Sequence, residues 1–178
     1  EDQIHAHCGT EFHGRKVTYV HQAEQKGTGH ALWLCKDLLK GRFLFMFADD
    51  LHGKQDIARA TSYTRSMLTL TTDTPERFGI VVRHPDGTLA EMIEKPSHPP
   101  SNLASTGVMV LDDHIFEYEL AVEKNGEFYL TDVIAEYAKQ YPIAVVEQSL
   151  WIPIGYPDDI EKAERILATR VTAPTLAV

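Results

Sequence analysis

Positive charge is what this sequence is short of. Its 17 lysines and arginines stand against 26 aspartates and glutamates, a formal net charge of −9, and such a chain lacks the basic face that binding a nucleic-acid backbone requires. Nucleic acid is excluded as the main partner, whereas a small phosphorylated ligand held by a few local groups is not. Long apolar runs are also missing. None approaches the roughly 18–20 residues needed to span a bilayer, and the opening residues carry no signal-peptide pattern, so a cytoplasmic protein without a membrane partner is expected. Cysteine is scarce: Cys8 and Cys35 make no disulfide framework, and Cys35 reads as a reduced thiol on the apolar stripe of a helix. Internal repeats and low-complexity tracts are absent.

What is present is a chain of 178 residues, 43% hydrophobic, which is enough for one globular domain with its own core. Strand and helix signals alternate along it. "KVTYV" (16–20) reads as a strand, and the apolar period from Ala31 to Lys40 predicts a helix closed by Gly41. "RFLFMF" (42–47) is nearly all apolar, as for a central strand buried on both faces, and it ends at Asp49 and Asp50. A helix from about Gln55 and a strand at "LTLTT" (68–72) follow. "FGIVVRHPDGTLAEMIEKP" reads as a β-hairpin turning at Asp86-Gly87. Then come the strand "STGVMVL", short helical "DHIFEYEL", helix "LTDVIAEYAKQ", strand "IAVVEQ" and helix "PDDIEKAERIL", whose Pro157, Asp158 and Asp159 suit a first turn. The expected fold is α/β and Rossmann-like: a mainly parallel mixed sheet, helices on both faces, and an inserted antiparallel hairpin.

Ligands of open α/β sheets sit at the carboxyl ends of strands, near helix N-termini. Two segments qualify. In "QAEQKGTGHAL" (22–32), Gly27 and Gly29 remove side chains and let a planar group approach the backbone. Gln22 can present a donor and an acceptor to a base edge, and Thr28 adds a hydroxyl. In "FADD", Asp49 could hold a divalent cation against a phosphate, since Mg²⁺ takes one or two protein carboxylates and leaves the rest to phosphates and water. A Gly-Thr-Gly helix start serves structure more often than binding. "IHAHC" (4–8) lacks zinc-like spacing and reads as a helix end.

Taken in order, these segments resemble the sugar-1-phosphate nucleotidylyltransferases, or nucleotide-sugar pyrophosphorylases. "QAEQKGTGHAL" is similar to the family's Q-x-x-x-x-G-T-[AG]-H-A segment and "FADD" to its G-D, with Ala48 for the glycine. "FG", "EKP", "TG", "GEFYLTD" and "WIPIG" follow in family order. The resemblance implies that Gln22, Gly27 and Thr28 bind the nucleotide and that Asp49 is a Mg²⁺ ligand. It implies a sugar-phosphate pocket of Gly79, Glu94, Lys95 and Thr106, with Asp49 and Lys95 catalytic. The plainer alternatives stay open: Glu94-Lys95 as an exposed pair, Thr106-Gly107 as a strand bulge, His30 as a packing residue. The implied substrates are a pyrimidine nucleoside triphosphate, UTP or dTTP, and a sugar-1-phosphate such as glucose-1-phosphate; homo-oligomerisation is open.

Two departures stand out. The family's G-x-G-T-R-x-x-P triphosphate loop and first βα unit have no counterpart, so the domain spanning 1–178 is expected to be incomplete at its N-terminus, by roughly 30 residues or more, and inactive by itself. Pro153 stands where many members carry a second metal-binding aspartate. A catalytically silent, ligand-binding or regulatory module is therefore the alternative to an enzyme.

Overall fold

The computed structural model of the chain describes residues 1–121 and 126–172. Helix α1 (Asp2–Cys8) and the two-residue strands β1 (Glu11–Phe12) and β2 (Arg15–Lys16) lead into α2 (Gly27–Trp33), β3 (Arg42–Met46), β4 (Asp50–His52) and α3 (Lys54–Thr61). Next are β5 (Ser66–Thr71), β6 (Gly79–Arg83), β7 (Leu89–Glu94) and β8 (Leu103–Asp112), then α4 (Leu130–Gln140), β9 (Ala144–Glu147), β10 (Trp151–Pro153) and α5 (Pro157–Thr172). Single 3₁₀ turns occupy Pro75–Arg77 and Asp113–Glu117.

Side-chain alternation on the strands builds two cores. Met67, Met109 and Leu111 face a cluster with Leu130, Val133, Ile134 and Tyr137 of α4 and Leu32 of α2. Their neighbours Leu68 and Val108 point the other way, against Ala60 of α3. Period-2 strands therefore bury both faces, and helices cover both, as expected. No helix among the described residues is long and apolar enough to cross a membrane.

The central sheet has six strands, ordered β7-β6-β8-β5-β9, with β3 also paired to β8. It is the mixed sheet expected, but its pairings differ from the parallel emphasis of the sequence reading. Strands β3, β5, β6 and β9 run in one direction, while β8 lies antiparallel between its neighbours, so β5–β9 is the parallel ladder among the described pairs. The ten-residue β8 serves two partners along one edge, β3 opposite 108–112 and β6 opposite Ala104. Between them Gly107 takes φ 77 and the β5–β8 register shifts. A side chain at 107 would lie 2.2 Å from the Phe47 ring, so glycine is required by both backbone and packing.

Three elements depart from the sequence reading. Residues 17–20 form no strand, because the β2 ladder ends at Lys16. Helix α2 begins at Gly27, four residues before the predicted start, and gives way to turns after Trp33. Strand β3 is not buried on both faces: it pairs only with β8 among the described strands, and Leu44 and Met46 are 40% and 41% exposed. The hairpin, by contrast, turns where expected. Gly87 takes φ 85, and Asp86 Oδ1 accepts hydrogen bonds from Thr88 N and Oγ1.

Candidate functional site

The gap between the end of β3 and the start of β6, floored by the bend in β8, opens a cleft of about 360 Å³. Six of the eight residues singled out in the sequence line it: Thr28, Asp49, Gly79, Glu94, Lys95 and Thr106. One end, with Thr28, Phe47 and Asp49, continues into a neighbouring hollow beside β3. The other end is built from β6, β7 and the first turn of α4.

At that second end Gly79 pairs with Glu94 across the hairpin. A Cβ on Gly79 would come within 3.2–3.3 Å of Met92, Thr131 and the Glu94 carboxylate, so the glycine leaves space for Glu94 to face the cleft. Burial pushes the Glu94 carboxyl above its ordinary range, against the opposing pull of Lys95 and the Thr131 hydroxyl. Lys95 Nζ lies 3.7 Å from Glu94 Oε1. The lysine backbone sits at φ 40, an uncommon conformation for a residue with a side chain, held by a hydrogen bond from Lys95 N to Phe78 O of 3.1 Å. Thr131 is 6% exposed, and its Oγ1 is buried without a hydrogen bond of full geometry. Thr106 Oγ1 donates to Leu68 O at 3.1 Å, so its proton is committed to the sheet.

The opposite wall is the two-stranded β4–β10 ribbon, in which Asp50 pairs with Pro153 and Leu51 with Ile152. The ribbon is anchored from behind by Asp56, 2% exposed, whose Oδ2 accepts from Ser149 N and Oγ and from Leu150 N at 2.9–3.2 Å. Asp50 Oδ2 accepts from Trp151 Nε1 at 2.8 Å. The position opposite Pro153 thus carries a carboxylate, and partners in an antiparallel pair point to the same face. Asp158 and Asp159 lie in the first turn of α5, where Asp159 Oδ2 accepts from Gly155 N and Tyr156 N.

Gln22 and Gly27 are not brought to this cleft. Gln22 Nε2 is hydrogen-bonded to Gly27 O at 3.2 Å and to His30 Nδ1 at 3.0 Å, and the side chain lines a separate hollow beside Tyr19 and Glu1. The bareness of Gly27 and Gly29 serves the protein itself: added Cβ atoms would lie 2.8 and 2.9 Å from Phe128 O. Gly29 N donates to that oxygen, and Phe128 N donates to Lys26 O, both at 2.9 Å. Both glycines are thus required by the approach of the Phe128 backbone. His30 stacks on Phe128 and packs, as one of the sequence alternatives had it.

Sequence reasoning missed Asp50, Arg77, Thr131 and Trp151 as lining residues. Each adjoins or lies within a quoted motif, "FADD", "FG", "YLTD" or "WIPIG", but only strand pairing reveals which neighbour shares the face.

Comparison with known proteins follows this geometry. A family model described as nucleotidyl transferase matches residues 1–170. The UTP–glucose-1-phosphate uridylyltransferase AglF of Haloferax volcanii is 30% identical over 95% of this chain and 74% of its own length. The bifunctional protein GlmU of Methanocaldococcus jannaschii is 30% identical over 88% of this chain, which spans 39% of that longer protein. A Bacillus anthracis crystal structure, described as a glucose-1-phosphate thymidylyltransferase in complex with sucrose, superposes with a TM-score of 0.80 at 26% identity. That match covers 93% of this chain and 71% of the other.

Proposed function

The chain belongs to the nucleotidyl transferase family, and on that footing we propose that it transfers a nucleotidyl group from UTP or dTTP to a sugar-1-phosphate, glucose-1-phosphate foremost. What supports the reading is convergence: residues as far apart as Thr28 and Thr106 line one cleft together with the carboxylates of Asp49, Asp50 and Glu94. A sugar-1-phosphate oxygen attacks the nucleotide α-phosphorus in line. One P–O bond forms, the bond to the departing pyrophosphate breaks, and no protein nucleophile is needed. Thr28 lies at the nucleotide end, with Gln22 and Gly27 holding the loop that carries it. Gly79, Glu94 and Thr106 receive the sugar, Glu94 accepting hydroxyl protons, while Lys95 meets the phosphate.

The donor chemistry of the cleft fits a hard divalent cation. Asp49 and Asp50 both line it, and one or two carboxylates with phosphate oxygens are what Mg²⁺ takes. Asp49 would hold the ion, with Asp50 the second carboxylate in place of the one that Pro153 cannot offer. When bound, the ion supplies positive charge against the phosphates. Pro153 is also what favours a second reading, a silent module that binds the same ligands without turnover.

The test is pyrophosphate release from UTP, dTTP, ATP and GTP against a panel of hexose-1-phosphates with Mg²⁺. Turnover is expected with a pyrimidine nucleotide and glucose-1-phosphate once the family's triphosphate loop is supplied, and Asp49→Asn should abolish it with the circular dichroism spectrum unchanged. Saturable binding of both ligands with no turnover would sink the enzyme and leave the module.

A further inference from the structure

Among the described residues, five charged side chains line the cleft: Asp49, Asp50, Glu94, Lys95 and Arg77. The cations are what a phosphorylated ligand needs on a chain of net charge −9, and they differ in availability. Lys95 is already drawn toward Glu94, at 3.7 Å. Arginines 59, 65 and 83 are each paired with a carboxylate. Arg77 is the cleft-lining cation whose side chain has no hydrogen-bond or ion-pair partner among the described residues.

Its position is set by the backbone. Pro75 opens the single 3₁₀ turn that carries it, Arg77 N donates to Thr74 O at 3.2 Å, and Phe78 N donates to Pro75 O at 3.1 Å. The next residue, Phe78, packs edge-on against Trp151 with ring centroids 5.1 Å apart, and its carbonyl receives the Lys95 N–H. Arg77 and Lys95 are thereby tied to the same end of the hairpin, beside Gly79, Glu94 and Thr131. Thr28 and Asp49 belong to the end that opens beside β3.

Building on the proposed reaction, we infer that Arg77 is a phosphate-binding residue that grips the phosphate of the sugar-1-phosphate together with Lys95. A guanidinium offers two parallel N–H donors to one phosphate, a geometry the point charge of a lysine cannot reproduce. The unpaired state of Arg77 means that no internal ion pair must break before the ligand binds. The two cations also offset Glu94, which would otherwise repel the anion it sits beside.

The experiment is calorimetric titration of the full chain with glucose-1-phosphate and, separately, with UTP and dTTP. Arg77→Gln should weaken glucose-1-phosphate by about tenfold to a hundredfold, the worth of charge-assisted hydrogen bonds. It should also flatten the salt dependence of that affinity while leaving nucleotide affinity and melting temperature unchanged. Arg77→Lys should fall between variant and parent. A parent that binds glucose-1-phosphate and an Arg77→Gln protein within twofold of it would overturn the assignment but spare the proposed reaction. Equal weakening toward the nucleotides would place Arg77 at the wrong substrate and overturn it too. A parent that binds neither ligand class would bring down the proposed reaction and the assignment with it.

Discussion

Glu94 illustrates how one residue can cost stability where it serves binding. Its carboxyl is raised by burial, against the pull of Lys95 and Thr131, so the folded state holds its proton to higher pH than the unfolded chain does. A carboxyl with a raised folded-state value contributes stability that is fully present below its unfolded value, near 4.3, and lost as pH rises through the folded one. Glu94→Gln should therefore melt higher than the parent at pH 7 and show a smaller gain at pH 4, while binding glucose-1-phosphate more weakly. Thermal melts across that range decide it. A variant that loses stability at pH 7 would mean that Lys95 and Thr131 outweigh burial. The neighbouring Lys95, in its left-handed backbone conformation, is the same trade made in dihedral angles.

Helix α2 and the 126–129 segment behave as one unit, joined by the Gly29–Phe128 and Phe128–Lys26 hydrogen bonds. The motif around Gly27 is legible in the sequence, but its partner is not, since the two lie about a hundred residues apart. Gly27 has φ 88, and its missing side chain is where Phe128 O packs. Gly27→Ala combines a left-handed backbone with a sub-van-der-Waals contact against main chain, and should destabilise the protein by about 1–3 kcal/mol. Urea unfolding measures the loss. A value near zero would show that the 126–129 segment yields freely and that the contact with Phe128 does not require glycine here. The β4–β10 ribbon likewise depends on a residue far away: Asp56 gathers three donors from Ser149 and Leu150, which fixes where Asp50 and Trp151 stand.

At the scale of the whole molecule, the Asp112 carboxylate that ends β8 contributes to acid stability. Burial alone would push the Asp112 carboxyl up, but hydrogen bonds with Tyr137, His114 and Arg65 hold it below its ordinary range. Tyr137 OH donates to Asp112 Oδ1 at 2.8 Å, and Arg65 Nε donates to Tyr137 OH at 2.9 Å. These contacts join the residue before β5 to β8 and α4. A depressed carboxyl contributes stability present above its unfolded value, near 3.9, and lost as pH falls through the folded one. Asp112→Asn should lower the melting temperature at pH 7 and flatten its decline below about pH 4. A variant whose acid decline matches the parent's would assign that decline to other carboxylates.

The family, the α/β alternation, the hairpin turn at Asp86-Gly87 and six of the residues that line the cleft were legible in the sequence. Hydrophobic period, turn chemistry and motif order are local properties, carried by residues near one another in the chain. The tertiary structure alone decided that β8 runs between strands of opposite direction, that β3 keeps one face exposed, and that Gly27 makes room for Phe128. It also decided that Arg77 and Asp50 face the cleft. Each of these depends on which strand edge meets which, a choice made by hydrogen-bond pairing between segments far apart in sequence, on which a local pattern places no constraint.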